Sequence, residues 1–374
     1  MATDTVRPRS GTRTPVTILT GFLGSGKTTL LNRAMRDPAM SRTLVIINEF
    51  GEIPLDHALV AASDDTILVL ENGCLCCTVF GDLVGTLNRA YHQREAGDIP
   101  PFDHVLIETS GLADPGPVLQ AFLSEPTLDG LFRIALVIAT IDAVNAPGTL
   151  VKYTESARQV ALADVLLLTK TDLLPVESAG EATAALHAAI RRLNPNAPIV
   201  SVSPDVDVSV LMLTVGPDPT AGGTETDHWL DAATSAVRPA DCDHSPADST
   251  HGHAHEHAPS VAVFCYVRDD PIPREALSLL LAALERNLGP GLLRVKGLVN
   301  VLEEAGQPAV IQGAQHLLHN LVWLERWPTE DERTRIVFIV DTMPREDVEE
   351  MIALMDRVAM RTARARLEQS RQSS

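Results

Sequence analysis

Four stretches of this chain carry residues whose types and spacing can do chemistry. Gly21-Phe-Leu-Gly-Ser-Gly-Lys-Thr28 fits the pattern G-x-x-x-x-G-K-[ST]. In such a loop the glycines let successive backbone N–H groups turn inward, and these donors, with the amino terminus of the next helix, hold phosphates. Gly21, Gly24, Ser25 and Gly26 form the cradle. Lys27 reaches the β- and γ-phosphates, Thr28 ligates Mg²⁺, and Thr29 continues the nucleotide-binding run. Glu108-Thr-Ser-Gly111 follows an apolar run. An acid at the end of a strand beside the phosphate loop positions Mg²⁺ or its water shell. Gly111 can meet the γ-phosphate through its N–H.

The third stretch, Thr169-Lys170-Thr171-Asp172, selects a base. A carboxylate there accepts from N1–H and the 2-amino group of guanine. Adenine offers neither donor, and a binding carboxylate left unpaired is costly. Lys170 lies along the base or ribose, and a backbone N–H near Ser203 meets guanine O6. Asn is the usual residue where this chain has Thr169, a shorter brace for the nucleotide loops. The fourth stretch, Glu71-Asn-Gly-Cys-Leu-Cys-Cys77, puts three of five cysteines within four positions. Its C-x-C-C spacing is neither the C-x-x-C redox motif nor a pair of zinc-ribbon knuckles. Cys74, Cys76 and Cys77 suit Zn²⁺ or a softer ion once deprotonated, and redox or structural thiols are the alternatives. Glu49 follows a neighbouring strand and can add an oxygen. His251, His253, His255 and His257 alternate in a polar segment and read either as a loose auxiliary metal site or as solvated linker.

The elements that must position these residues form an alternating series. Apolar strands are expected at 16–20, 43–47, 66–70, 104–107, 134–141, 165–168 and 198–202. Helices are expected at 25–35, 83–94, 117–123, 157–163 and 178–193. The alternation predicts an α/β fold with a parallel sheet flanked by helices. From Pro204 to Pro259 the pattern stops in favour of Asp, Pro, Thr, Ser, Gly and His, which reads as linker with a short helix at 229–237. A β-α-β-β-β-α order then predicts a smaller open-faced α+β domain. The expected divisions are a disordered tail at 1–13, a nucleotide domain at 14–204, a His-rich linker at 205–259 and a second domain at 260–368.

Composition sets the bounds. The 374 residues are too many for one average domain. The 45% hydrophobic content supplies a large core, and with 4% aromatics that core is aliphatic. A net charge of −19 argues against a nucleic-acid partner. No stretch reads as a signal peptide or membrane span, so the expectation is a soluble cytoplasmic protein with reduced cysteines.

With these residues in hand, the chain resembles the CobW-type metallochaperone GTPases. The matching stretches are TGFLGSGKTTLLN, VIINEFGEIPLD, ENGCLCCTVFGDL, ETSGLADP, LTKTDLL and, in the second domain, LLRVKGLVN. The resemblance covers most of 15–202 and 261–341. It implies a P-loop GTPase domain of a dimerising class, so a GTP-dependent homodimer is a candidate assembly. It also implies GTP-coupled delivery of a transition metal, most often zinc, otherwise cobalt, iron or nickel, to a client enzyme. Lys27, Thr28 and Glu108 are the expected catalytic set. The water-orienting group stays open between Glu108, Asp56 and a partner. A GTP-regulated metal store without a client, a cobalt or iron insertase, and an ATP-dependent kinase on the same loop are the rivals. The cysteine loop and the loop after Asn48 both leave the sheet at its phosphate edge. GTP is therefore expected to gather the thiols and hydrolysis to loosen them.

Overall fold

The computed structural model describes residues 13–48, 67–70, 78–174, 179–195, 197–214, 261–288, 291–314, 317–318, 321–327, 331–341 and 345–372. Cys74, Cys76, Cys77, Glu49, Asp56 and His251, His253, His255 and His257 lie outside them, as do residues 1–12 of the tail and the expected helix at 229–237.

The first domain is built on β1 (Thr14–Gly21), β2 (Thr43–Asn48), β3 (Ile67–Leu70), β4 (His104–Thr109), β5 (Phe132–Asp142), β6 (Val165–Thr169) and β7 (Ile199–Ser201). They form one parallel sheet in the order β3-β2-β4-β1-β5-β6-β7. Its helices are α1 (Lys27–Ala34), α2 (Thr78–Ala96), α3 (Gly116–Ser124), α4 (Pro126–Leu131), α5 (Ala146–Lys152), α6 (Thr154–Leu162), α7 (Ala179–Leu193) and α8 (Val208–Leu213). Successive strand residues bury on opposite faces, as a pleat requires. Val16, Ile18, Ile46 and Ile107 pack with α2, α3 and α6. Leu19, Val45, Ile47 and Leu106 pack with α1 and α8. Strands buried on both faces read as continuous apolar runs, which is why they were legible without alternation. After β1 the chain moves outward to β2 and β3, then returns to place β4 beside β1. That reversal opens a crevice at the carboxyl ends of β1 and β4, the usual ligand position in such sheets.

The short helices α4, α5 and α8 are additions to the sequence reading. α8 falls inside the polar stretch read as linker. Asp207 caps it by accepting from the Ser209 and Val210 N–H groups at 3.0 and 3.2 Å. Val208 and Met212, four residues apart on one face, are buried against α1.

The second domain holds β8 (Val261–Arg268), α9 (Arg274–Leu288), β9 (Leu292–Val299), β10 (Ala309–Ala314), β11 (Leu317–Leu318), β12 (Val322–Trp323), β13 (Thr334–Asp341) and α10 (Arg345–Gln372). Its antiparallel sheet runs β11-β10-β9-β13-β8, with β12 paired to β10. The expected order is present, with β11 and β12 as short extra strands. The sheet is not open-faced. Ile336, Phe338 and Val340 face α9 and α10. On the opposite face, Leu293 and Ile339 join the core of the first domain, with Val261 and Val263 packed against it. Among the described residues no helix is long and apolar enough to cross a membrane.

Candidate nucleotide site

The phosphate loop leaves β1 at Gly21 and enters α1 at Lys27. Its glycines are required by geometry. Gly21 has φ 141°, and a Cβ there would sit 2.2 Å from the Thr140 hydroxyl. Gly26 has φ 93° and is the residue before α1, so no side chain caps the helix and its first N–H groups stay open to an anion. Two neighbouring strands hold the loop. Ser25 Oγ lies 2.6 Å from Thr140 Oγ1 on β5. Thr169 Oγ1, at the end of β6, donates to the Ser25 carbonyl at 2.7 Å. The shorter brace at Thr169 thus reaches its target.

Lys27 is buried at 8% exposure, with Nζ donating to the Gly21 carbonyl at 2.8 Å. Thr28 Oγ1 donates to Glu108 Oε1 at 2.7 Å. Glu108 is 4% exposed at the end of β4, in register with Leu19 of β1. A hydroxyl and a buried carboxylate meeting at a helix amino terminus are hard oxygen donors of the kind Mg²⁺ prefers. The residues present therefore fit Mg²⁺ bound with a nucleoside triphosphate. Thr29 is exposed in the first turn of α1. Gly111 is buried against the loop: a Cβ there would lie 2.8 Å from the backbone of Leu23. Only glycine permits that approach.

Lys170 and Asp172 follow β6. Lys170 takes a left-handed φ of 58° and its Nζ donates to Asp142 Oδ2 at 2.7 Å. Asp172 is exposed, and so is Ser203, just past β7. The Ser203 carbonyl accepts from Arg33 Nη1 at 2.9 Å, tying that loop to α1. The sequence reading missed Asp142. It caps the turn after β5, accepting from Val144 N–H at 2.9 Å and Asn145 Nδ2 at 2.8 Å. Burial pushes its carboxyl up, but the Lys170 ammonium, the Asn145 amide and two backbone N–H groups outweigh this and hold it below the usual range. Its one sequence signal was an acid ending an apolar strand, as at Glu108. Also missed was Gln159 on α6, whose Nε2 donates to the carbonyls of Gly111 and Ala113 at 3.2 and 2.9 Å.

The loops after β1, β4, β5, β6 and β7 thus gather at one end of the sheet. Residues 15–201 match the CobW/HypB/UreG nucleotide-binding domain, and residues 261–355 match the cobalamin synthesis protein CobW C-terminal domain. The chain belongs to the CobW/HypB/UreG family. It is 33% identical over 334 residues to the zinc chaperone YjiA of Escherichia coli, covering 89% of this chain and 96% of that one. It is 34% identical over 203 residues to the zinc chaperone CobW of Pseudomonas aeruginosa, covering 46% of this chain and 52% of that one. A zinc-regulated GTPase metalloprotein activator of Schizosaccharomyces pombe is 33% identical over 196 residues, covering 50% of this chain and 46% of its own. The crystal structure of the Zn(II)-bound YjiA GTPase superposes with a TM-score of 0.65 at 27% identity, covering 92% of this chain and 99% of that one. The family's P-loop fold and its second domain are therefore both present here. Among the described residues no group of three or more His, Cys, Asp or Glu is arranged to hold a metal ion.

Proposed function

We propose that this protein is a cytoplasmic, GTP-hydrolysing metallochaperone that binds a transition metal, zinc foremost, and delivers it to a client protein. The observation that carries the reading is the convergence at the crevice. A phosphate loop, the Thr28–Glu108 contact and Gly111 pressed on Leu23 meet there, in a chain resembling a zinc chaperone along nearly its whole length.

In this reading the backbone N–H groups of residues 21–29 and Lys27 hold the phosphates of GTP. The Thr28 hydroxyl and Glu108 carboxylate hold Mg²⁺, which when bound neutralises charge on the β- and γ-phosphates. Gly111 meets the γ-phosphate through its N–H. Asp172 accepts from guanine, Lys170 lies along it, and the loop at Ser203 meets O6. Cys74, Cys76 and Cys77 bind the cargo metal, with Glu49 as an added oxygen and His251, His253, His255 and His257 as a loading site. Three thiolates leave a fourth position that Glu49, water or a ligand from the client can take in exchange, which suits transfer.

The test is metal affinity in the presence of Mg²⁺ with a non-hydrolysable GTP analogue, compared with GDP, for Zn²⁺, Co²⁺, Fe²⁺ and Ni²⁺. Affinity about tenfold higher in the GTP form is expected, and lost in Cys74→Ala, Cys76→Ala and Cys77→Ala. Equal affinity with both nucleotides would refute the coupling.

A further inference from the structure

One guanidinium in this molecule joins the loop after β4 to the second domain. Arg158, on α6, donates through Nη1 to Asp114 Oδ2 at 2.8 Å. Through Nε it donates to Asp341 Oδ2 at 3.0 Å, and Nη2 reaches the same oxygen. Asp114 belongs to the loop that carries Gly111. Asp341 is the last residue of β13, and its side chain is only 3% exposed. Next along α6, Gln159 holds the carbonyls of Gly111 and Ala113. The Gln159 Oε1 is buried and has no hydrogen-bond partner among the described residues. The same amide thus has an acceptor in reserve for a rearranged loop. Immediately after the loop, α3 lies against β10 and β11 of the second domain.

A second joint lies just beyond the other end of α6. Asp164 accepts from Arg294 Nη2 at 2.6 Å and from Lys296, while Arg294 also reaches the Leu162 carbonyl. Both basic residues are on β9. The hydrogen bonds of this joint run between β9 and residues 162 and 164. The contact between the domains therefore has one end fixed at Asp164 and one end tied, through Arg158, to the loop beside the phosphates. A displacement of Asp114 by an ångström or so must either break a charge-assisted hydrogen bond or draw Asp341 with it. Asp341 is too buried to be released to water cheaply.

We infer that Arg158 is a positioning residue that carries the nucleotide state of the 110–115 loop to the second domain by bridging Asp114 and Asp341. This rests on the reading of that loop as a γ-phosphate contact, and it adds where the signal goes. By reciprocity, anything that shifts the second domain also shifts the preference for GTP over GDP.

Hydrogen exchange of the full-length protein tests it, with GDP and with Mg²⁺ plus a non-hydrolysable GTP analogue, after binding of each to the wild type has been measured. Exchange in β13 and β9 is expected to differ at least about threefold between the two nucleotides in the wild type, within the range of ordinary coupling energies. Asp341→Asn is expected to abolish that difference while still binding both nucleotides, and to change their affinity ratio by about fivefold or more. Asp114→Ala severs the bridge from the loop side. It must give the same result, and it replaces Asp341→Asn should that variant fail to fold. Arg158→Lys should retain part of the response. A wild type that binds both nucleotides with identical exchange in the second domain overturns the inference. So does a variant that raises exchange in β13 by the same factor in both states and leaves the difference between the nucleotides intact. A wild type that binds no guanine nucleotide overturns the functional reading as well.

Discussion

At the scale of single residues, the proposed selection of guanine rests on Asp172. Asp172 is exposed and follows a strand whose last residue, Thr169, braces the phosphate loop. Asp172→Ala is expected to weaken GTP binding by about tenfold to a hundredfold, the value of hydrogen bonds to a charged acceptor, and to leave ATP binding unchanged. Competition of each nucleotide against a fluorescent GTP analogue reads this directly. Equal losses for both nucleotides would remove the assignment. The phosphate loop was fully legible because its chemistry is local, with eight residues in a row fixing the backbone. Asp142 and Gln159 were not. Their partners, Lys170 and Gly111, lie 28 and 48 residues away, and no sequence period marks such pairs.

At the scale of elements, α8 shows how a single buried histidine ties three pieces together. His104 on β4 lies 2.9 Å from Thr17 Oγ1 on β1, and Thr17 donates its one proton to the Met212 carbonyl of α8. The ring nitrogen Nε2 must therefore carry a hydrogen and donate it to Thr17. Burial, helped by the charge of Arg133, lowers its pKa from 6.5 to about 4. The unfolded chain takes up a proton on this ring below about pH 6.5, whereas the folded chain resists until about pH 4. The stabilisation is thus complete above the unfolded value and is lost as pH falls between the two. The slope is about 1.4 kcal/mol per pH unit, and the total is about 3 kcal/mol at most. Urea midpoints measured from pH 7 to pH 4 should fall more steeply for the wild type than for His104→Gln. Parallel curves would dismiss the role. The sequence reading passed over α8 because six residues are too few for a helical period to show, and its neighbours are polar.

At the scale of the whole molecule, one face of the second sheet joins a core of the first domain, and the joint at Asp164 ties the two together. Burial pushes its carboxyl up, but Arg294, Lys296 and the Val137 N–H more than reverse this and keep it ionised. Burial and the Arg294 charge bring Lys296 down to about 8, with Asp164 opposing the shift. Asp164→Ala would leave two cations facing each other in a half-dry interface. It is expected to destabilise the protein by about 3 kcal/mol or more. Adding Lys296→Met should recover part of that loss. Denaturation of the two variants side by side decides the matter, and a double variant no better than the single would show that the charges are independent.

The sequence by itself determined the strands other than β11 and β12, the phosphate loop, the order of the motifs and the two-domain plan. Each of these is written in neighbouring residues, as an apolar run, a glycine spacing or an alternation. The tertiary structure decided that the second sheet is covered by the first domain and that residues 208–213 close the first core. It also decided that Arg158 stands between Asp114 and Asp341, carboxylates 44 and 183 residues away from it. Those outcomes depend on which surfaces meet once the chain is compact, and a burial or a bridge between distant residues leaves no mark on the residues beside either partner.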